Sequence, residues 1–223
     1  MSETEGCERF LRPEERGCII KKRNEGESAM AVEFELKYGA DPEILEQLRQ
    51  RYSGEEKTYR MRTTYYDTPT EQFSARHCTL RCRLENEISV CTLKMPTGGI
   101  GRREWEVECD RIEDAIDMLC KLGAPREICD LAEEGLVPIC GARFDRIAKL
   151  LPLDGCEVEL ALDEGVLVAG EQQIPLCEVE VELKQGDAQA CVAFAKEMAQ
   201  EFGLTVEKKS KFRRALDLYR GEK

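Results

Sequence analysis

The sequence is poor in histidine and tryptophan, with one of each, and it contains no long apolar run. A membrane-spanning helix needs about 18 or more consecutive apolar residues, and a secretory signal needs an apolar core near the N-terminus, so neither is expected. A single histidine, His77, and the absence of any Cys-x-x-Cys pair leave too few clustered soft ligands for a zinc site. Basic residues are in deficit, since 33 Lys and Arg stand against 45 Asp and Glu, and the net charge of -12 disfavours nucleic-acid binding. We therefore expect a cytoplasmic protein that binds neither membranes nor nucleic acid.

The twelve cysteines occur singly within apolar strand and helix patterns, as Cys82, Cys91 and Cys120 do. Because nothing indicates a secretory context, we interpret them as small buried thiols in a reducing cytoplasm rather than as a disulfide scaffold. His77 falls in a turn between two predicted strands, and we predict that it lies at the surface.

The 223 residues are enough for one large domain. Residues 1–29 are charged, aperiodic and poor in aromatic residues, and we predict that they form a disordered extension. From residue 30 onward, short runs of alternating apolar and polar residues recur, with turn signals between many of them. We therefore predict one domain over residues 30–223, built of strands decorated by helices.

The predicted elements follow from periodicity and from capping residues. The clearest strands, with a period of two, are Val32–Tyr38, Arg60–Tyr66, Thr79–Leu84, Ser89–Lys94, Arg102–Glu108, Cys156–Leu162 and Leu176–Lys184. The first helix begins at Asp41-Pro42, a favourable N-cap and first-turn pair. The other predicted helices are Ile112–Leu122 before Gly123, Ala190–Phe202 before Gly203, and a short one over Phe212–Tyr219.

The polar positions of these strands are charged, and the charges sort by sign. Residues two apart on a strand share a face, so the charged residues of each strand point one way. The sets are Glu33, Glu35 and Lys37; Arg81 and Arg83; Glu104, Glu106 and Glu108; Glu157, Glu159 and Asp163; and Glu178, Glu180, Glu182 and Lys184. A face tuned for solubility would intersperse the signs. The sorting favours two walls, one for divalent cations and one for phosphate oxygens, but solvated faces of an open sheet packed on helices would also alternate in this way.

The residue types fit these two roles. Crowded carboxylates repel one another unless a hard cation such as Mg²⁺ or Mn²⁺ neutralises them. Arg81, Arg83 and Arg102 offer planar donors suited to phosphate oxygens, whereas Lys37 and Lys94 act as point charges. The pattern therefore favours a barrel with a polar lumen whose apolar outer side is covered by helices.

Several short motifs occur along the chain, and their order is informative. Glu33-Phe34-Glu35-Leu36-Lys37 has the form E-x-E-x-K, and it stands near the start of the patterned region. Further segments, in order, are Tyr65–Pro69, Leu80–Arg83, Thr92–Lys94, Arg102–Glu104, Phe144–Arg146, Glu159 with Asp163, Glu178–Glu182 and Ser210-Lys211. In this order they resemble the motifs of the CYTH family of triphosphate tunnel metalloenzymes, from residue 31 to about residue 215.

The resemblance implies an α+β, mainly β fold, in which an eight-stranded antiparallel closed β-barrel has a charged lumen and helices packed outside. It also implies roles for particular residues. The metal ligands would be Glu33, Glu35, Asp163, Glu180 and Glu182, with Glu178 as an alternative in register. The substrate-binding residues would be Lys37, Arg62, Arg81, Arg83, Lys94, Arg102, Arg146, Lys184 and Lys211. The catalytic residues would be Glu33, Glu35, Lys37, Glu104 and Arg146, and Glu106 would line the tunnel.

The function that the resemblance implies is hydrolysis of the terminal phosphoryl group of a triphosphate, foremost inorganic tripolyphosphate, with Mg²⁺ or Mn²⁺, by a monomer or homodimer. A class IV-type adenylyl cyclase ranks second, because no motif marks a pocket for a nucleobase. Thiamine triphosphate hydrolysis ranks third, because it needs an aromatic platform and alternation places Trp105 on the outer face. A non-catalytic polyphosphate-binding module remains as a further alternative, although binding alone would need only the basic wall.

Overall fold

The computed structural model of the chain describes residues 34–96 and 102–222. Within these residues, nine strands form one antiparallel sheet, accompanied by six α-helices. The strands are β1 Glu35–Gly39, β2 Glu56–Asp67, β3 Thr79–Glu85, β4 Ile88–Pro96, β5 Arg102–Glu108, β6 Val137–Leu153, β7 Cys156–Ala169, β8 Gln172–Gly186 and β9 Thr205–Val206. The helices are α1 Pro42–Arg51, α2 Gln72–Ala75, α3 Ile112–Lys121, α4 Arg126–Cys129, α5 Ala188–Phe202 and α6 Lys211–Arg220. The prediction of a β-rich α+β fold is confirmed.

The predicted eight-stranded closed barrel is wrong in two respects for the described residues. The sheet has nine strands in the order β5-β4-β3-β2-β6-β7-β8-β1-β9, and its edge strands β5 and β9 do not pair with each other. A physical reason lies at β1, whose outer edge is taken by the short β9 at Tyr38 and Gly39. Closure of the sheet through this edge of β1 is therefore blocked at these two residues.

The predicted helices are confirmed by their ends. The side chain of Asp41 accepts a hydrogen bond of 3.0 Å from the backbone N–H of Ile44, which caps α1. Helix α5 ends at Gly203, whose φ of +65° is readily adopted by glycine. The side chain of Ser210 accepts from the backbone N–H of Arg213 and caps α6. This cap fixes the start of α6, where Lys211 is the first helical residue.

Helices cover both faces of the sheet. Helices α1 and α5 pack on one face of β7, β8 and β1 around Leu48, Leu160 and Val181. On the same face, α3 and α4 cover β3, β4 and β5, where Trp105 contacts the apolar cluster as predicted. Helix α6 departs from the predicted outer position. Its Leu216 packs with apolar side chains that alternation places on the charged face of the sheet.

The placement of α6 has a cause in the sequence of the sheet itself. One end of the charged face is apolar, with Tyr65, Ala142, Leu167 and Leu176 all buried there. The ring of Phe212 lies against the ring of Tyr65, with 4.9 Å between their centroids. Burial of this apolar surface is favourable, so the amphipathic helix α6 covers it.

The ten described cysteines are free, and seven of them are buried as predicted. Cys82, Cys120 and Cys177 are half-buried instead. His77 is exposed, also as predicted. The predicted extension over residues 1–29 lies outside the described residues. In the part of the chain that the structure describes, no helix has the length and apolar character needed to cross a membrane.

The close contact between β6 and β7 gives a test of the fold. A Cβ added at Gly165 would lie 2.2 Å from the carbonyl oxygen of Arg143 and 2.5 Å from Cα of Phe144. Since both are backbone atoms, Gly165→Ala should lower the free energy of unfolding by about 1–3 kcal/mol, measured by urea denaturation. Gly39→Ala is the control, because its nearest contact of 3.4 Å to Thr205 Oγ1 is ordinary. Equal stability of the two variants would contradict this strand register.

Candidate functional site

The strand registers bring charged side chains from seven strands to one face of the sheet, which we call the charged face. Directly opposed residues share a face, and so do residues two apart on one strand. The members are Glu35 and Lys37 on β1, Arg81 and Arg83 on β3, Lys94 on β4, Glu104 and Glu106 on β5, Arg146 on β6, Glu159 and Asp163 on β7, and Glu178, Glu180 and Glu182 on β8. Cationic side chains dominate on β3 and β4, and carboxylates dominate on β7 and β8.

The most buried part of the charged face is a group of three carboxylates, Asp163, Glu178 and Glu180, which we call the inner group. Their oxygens lie within 4.8 Å of one another, and this group has the composition and spacing to hold a metal ion. The Nζ of Lys211 lies 2.8 Å from Asp163 Oδ2 and 2.8 Å from Glu180 Oε1, and it also contacts Glu178. The ammonium therefore lies among all three carboxylates.

Two arginines complete the neutralisation of the inner group. Arg146 Nε and Nη2 each donate to Asp163 at 2.7 Å, which makes a bidentate pair, and Nη2 also donates to Glu180 at 2.5 Å. Arg214 Nη2 lies 3.2 Å from Glu178 Oε1. Three cationic side chains thus face three carboxylates, and Arg214 is shared with Glu207, to which its Nη1 donates at 2.9 Å.

The electrostatics of the inner group favour its charged form. Burial alone would raise the pKa of Glu180, but the neighbouring Lys211 and Arg146 lower this pKa far below its ordinary value. Burial opposes the charge of Lys211, yet the three carboxylates raise the pKa of its ammonium. Both partners therefore remain ionised at neutral pH.

A second set of carboxylates lies nearer to solvent, and we call it the outer row. Its members are Glu182 on β8 and the two residues directly opposite it, Glu35 on β1 and Glu159 on β7. Their side chains are 33%, 30% and 25% exposed. Lys37 Nζ lies 3.4 Å from Glu35, and Lys184 Nζ lies 2.8 Å from Glu182 and 3.6 Å from Glu159. Like charges in direct opposition are destabilising, and these two lysines offset part of that repulsion.

Arginines from β3 occupy the other half of the charged face. Arg81 Nη2 lies 3.7 Å from Glu104 and 3.6 Å from Glu106, and Arg83 forms an ion pair with Glu85. Burial lowers the pKa of the Arg83 guanidinium, and the positive charges of Arg81 and Arg146 lower it further. Arg81 and Arg146 are thus both close enough to Arg83 to affect its charge, and positive charge is concentrated between β3 and β6, as binding of an anion requires.

Carboxylates from β5 lie beside this cationic half. Lys94 Nζ lies 2.8 Å from Glu104, and the hydroxyl of Thr92 donates to Glu106 at 2.9 Å. Burial raises the pKa of Glu104 in spite of Lys94. Burial also acts to raise the pKa of Glu106, but Arg81, Glu104 and Thr92 outweigh it and lower this pKa. The two carboxyls are therefore unequal, and Glu104 is the more basic of the two.

Two predicted substrate-binding residues lie at the margin of this face or away from it. Arg102 reaches back to the turn before β3, where it donates to the carbonyl of His77 at 2.6 Å. Arg62 is exposed, and it pairs with Leu84 and Arg143 in the register. Neighbouring residues of a strand point to opposite faces, so Arg62 lies opposite to the face of Met61 and Thr63. The structure does not bring Arg62 to the charged face.

The structure places the other predicted residues as follows. Those on or beside the charged face are Glu35, Lys37, Arg81, Arg83, Lys94, Glu104, Arg146, Asp163, Glu180, Glu182, Lys184 and Lys211. Glu178, the alternative ligand, belongs to the inner group. Glu33 lies outside the described residues. Arg214 was missed: it follows Lys211 by three residues and so shares its side of α6, but the helix predicted over Phe212–Tyr219 did not include Lys211.

The donor atoms fit a hard divalent cation. Both sets of carboxylates offer only oxygen ligands, which Mg²⁺ and Mn²⁺ prefer. The carboxylates of the outer row are partly exposed, which allows a bound metal to keep some of its water. The inner group has the geometry but carries its own cations. Glu35, Glu159 and Glu182 are thus the ligands most accessible to a metal.

Comparison with known proteins gives a family match. A family model described as the CYTH domain matches residues 31–216. An inorganic triphosphatase from Haemophilus influenzae is 29% identical over 196 residues, which are 84% of this chain and 55% of that protein. The chain therefore spans about half the length of this curated relative.

Solved structures are similar in fold. The putative adenylyl cyclase HpAC1 from Hippeastrum, described as having a dominant triphosphatase activity, has a TM-score of 0.63 at 20% identity over 86% of this chain and 97% of that one. The PH1819 protein from Pyrococcus horikoshii has a TM-score of 0.56 at 24% identity, over 83% and 99% of the two chains. A putative adenylate cyclase from Bacillus halodurans has a TM-score of 0.56 at 20% identity, over 82% and 96%. At these identities the likeness concerns the fold alone.

The lowered pKa of Glu180 predicts how stability depends on pH. A carboxyl whose pKa is lower in the folded state stabilises the fold above its unfolded pKa of about 4.3, and this contribution is lost as the pH falls below that value. The free energy of unfolding of the wild-type chain should therefore fall as the pH is lowered from about 6 to 3. Glu180→Gln should show a smaller fall, measured by urea denaturation at each pH. An equal pH dependence in both proteins would contradict the ion pairing of Glu180.

Proposed function

This chain belongs to the CYTH domain family, and on that premise we propose that it hydrolyses the terminal phosphoryl group of inorganic tripolyphosphate with the help of a divalent metal ion. One observation carries the proposal. Carboxylates able to hold a cation and arginines able to hold phosphate oxygens project from the same face of one sheet. The similarity to an inorganic triphosphatase supports the choice of reaction.

The cationic half of the charged face is the proposed phosphate site. Arg81 and Arg83 present planar guanidinium groups that can donate two hydrogen bonds to one phosphate. Arg146 lies between these arginines and the carboxylates, where it can contact a phosphate that also binds metal. Lys37 and Lys94 contribute positive charge at the two ends of this site. The positive charge concentrated there makes binding of a polyanion favourable.

The carboxylate half is the proposed metal site. Glu35 and Glu182 would hold the ion together with Glu33, and Asp163 and Glu180 would contribute from the inner group. When bound, Mg²⁺ or Mn²⁺ neutralises charge on the phosphate oxygens and lowers the pKa of a bound water. Phosphoryl transfer depends mainly on positioning and electrostatic stabilisation, both of which fixed side chains on a sheet supply.

The chain's own residues would also handle the proton. Glu104 is part of the charged face, and its pKa is raised by burial. A general base works best when its pKa approaches the operating pH. We assign Glu104 the role of proton acceptor for the attacking water.

Adenylyl cyclase activity is the second candidate, since proteins of this fold include putative cyclases. In that reaction the 3′-hydroxyl of ATP would attack in place of water, and contacts to the nucleobase would be required. The described aromatic rings on the charged face already have partners: Phe144 lies 5.8 Å from the Arg146 guanidinium and 5.3 Å from Lys211 Nζ, and Tyr65 packs against Phe212. Tyr59 packs against the apolar cluster that α6 covers. We therefore rank triphosphate hydrolysis first.

Phosphate release tests the proposal. The purified chain should release phosphate from tripolyphosphate with Mg²⁺ or Mn²⁺ and none with EDTA, and it should form little cyclic AMP from ATP. Glu35→Ala should reduce turnover by about 100-fold, because it removes a carboxylate from the metal site. Unchanged circular dichroism and melting temperature would show that the variant is folded. Full activity of Glu35→Ala would contradict the metal assignment, and binding of tripolyphosphate without turnover would favour a binding module.

Arginines on opposite faces of the sheet give a matched pair of variants. Arg81→Ala should raise KM for tripolyphosphate by about tenfold or more, because a hydrogen bond to a charged group is worth roughly 1.5–3 kcal/mol. Arg62→Ala also removes one guanidinium, but this side chain is exposed and lies on the opposite face, so KM should stay within about twofold of the wild-type value. Steady-state kinetics at constant ionic strength measure both effects. A larger increase in KM for Arg62→Ala than for Arg81→Ala would place the phosphate site on the face opposite to the charged face and contradict the proposal.

A further inference from the structure

Lys211 lies where a metal ion would bind. Its Nζ contacts Asp163, Glu178 and Glu180, the same three carboxylates whose oxygens are spaced for a metal. An ammonium and a divalent cation compete for such a group, because both need the same oxygen lone pairs. Whatever occupies the inner group must balance three negative charges in a buried place.

The cations that contact the inner group equal its carboxylates in number. Arg146 pairs with Asp163 and Glu180, Arg214 pairs with both Glu178 and Glu207, and Lys211 is the third cation. A divalent ion added beside them would bring two further positive charges into a buried site. Removal of Lys211 alone leaves two cations for the three carboxylates, and the oxygens that the ammonium now contacts become free for a metal.

The outer row differs from the inner group in the cations that contact it and in its exposure to solvent. Lys37 and Lys184 lie within 4 Å of its carboxylates, and its side chains are partly exposed. Lys211 is the one cation of the inner group that is well suited to leave it. Arg146 is fixed by a bidentate pair, whereas Lys211 reaches the group from the first residue of α6 by a flexible four-carbon chain.

We propose that Lys211 is an internal counter-ion that excludes divalent metal from Asp163, Glu178 and Glu180, so that, of the two described sets of carboxylates, the metal-free protein offers the outer row to an incoming ion. The inner group becomes a metal site when the ammonium is withdrawn. A triphosphate supplies the anionic oxygens that would draw it away. This inference rests on the proposed function, since it takes a divalent metal to work at the charged face.

Mn²⁺ binding to the full chain without any triphosphate tests the inference. Isothermal titration calorimetry should show that Lys211→Met binds one more Mn²⁺ than the wild-type chain, or binds Mn²⁺ at least about tenfold more tightly. The expected size follows from the removal of a unit charge a few ångströms from the ion, which exceeds a factor of ten even at an effective dielectric constant of about 20. Lys211→Arg keeps the charge and should bind Mn²⁺ as the wild-type chain does.

Lys209→Met is the matched control. Lys209 lies two residues away and pairs with Asp217 instead of the inner group. This variant should leave Mn²⁺ binding unchanged. Lys211→Gln, which keeps hydrogen bonding but loses the charge, should behave like Lys211→Met and serves if the methionine variant does not fold. Equal Mn²⁺ binding by the wild-type chain and the folded neutral variant would overturn the inference.

The outcome is separable from that of the proposed function. Because no triphosphate is present, a gain of Mn²⁺ binding in Lys211→Met stands even if the wild-type chain hydrolyses nothing. Conversely, phosphate release by the wild-type chain can be intact while Lys211→Met gains no Mn²⁺, and that result would remove only the counter-ion role. Likewise, a gain in Lys211→Arg equal to that in Lys211→Met would contradict a role for charge.

Discussion

The structure depends on the neutralisation of charges that the sheet buries. Alternation along β7 and β8 places apolar residues against α1 and α5, and the same alternation obliges Asp163 and Glu178 to point into the charged face with no exposure. An unpaired buried carboxylate is costly, so cations have to come from elsewhere in the chain. They come from β6 and from α6. The position of α6 on this face therefore follows from charge as well as from its apolar side.

This arrangement joins stability and function in one set of contacts. The ion pairs that hold the inner group together are made by the same types of group that a metal and a polyanion would use. Loss of one partner leaves the other charge buried and unmatched, which costs more than the intact pair gains. For substitutions in the inner group, stability should therefore be measured together with activity, because a loss of activity could result from unfolding.

Much of the fold could be predicted because local signals agree with the final structure. The side chain of Asp41 marks the start of α1, and Gly203, which has no side chain, marks the end of α5. In strands such as β5, apolar and polar residues alternate regularly. Strand β6 was not among the clear predictions, because residues 147–153 are mostly apolar without alternation. Such a run does not distinguish a strand from a buried helix. The short strand β9 at the edge of the sheet could not be predicted either, because two residues are too few to show periodicity.

The candidate site was predictable to the extent that it lies on regular strands. Register carried Glu35, Arg81 and Glu180 to one face, as period-two alternation implies. Arg62 does not lie on the charged face, because it is one residue away from Thr63, which does, and neighbouring residues of a strand point to opposite faces. The resemblance alone did not reveal this. The approach of Lys211 and Arg214 depends on how α6 docks, and docking of a helix across the sheet has no signature in local sequence.

The central claim is that a divalent cation and a polyanion bind side by side on the charged face. A crystal structure of the chain with Mn²⁺ and imidotriphosphate, a slowly hydrolysed analogue, tests it most directly. The account predicts an anomalous manganese peak beside Glu35 and Glu182 and phosphate density against Arg81 and Arg83. Manganese and phosphate bound on the opposite, helix-covered face, or at separate places on the surface, would contradict it.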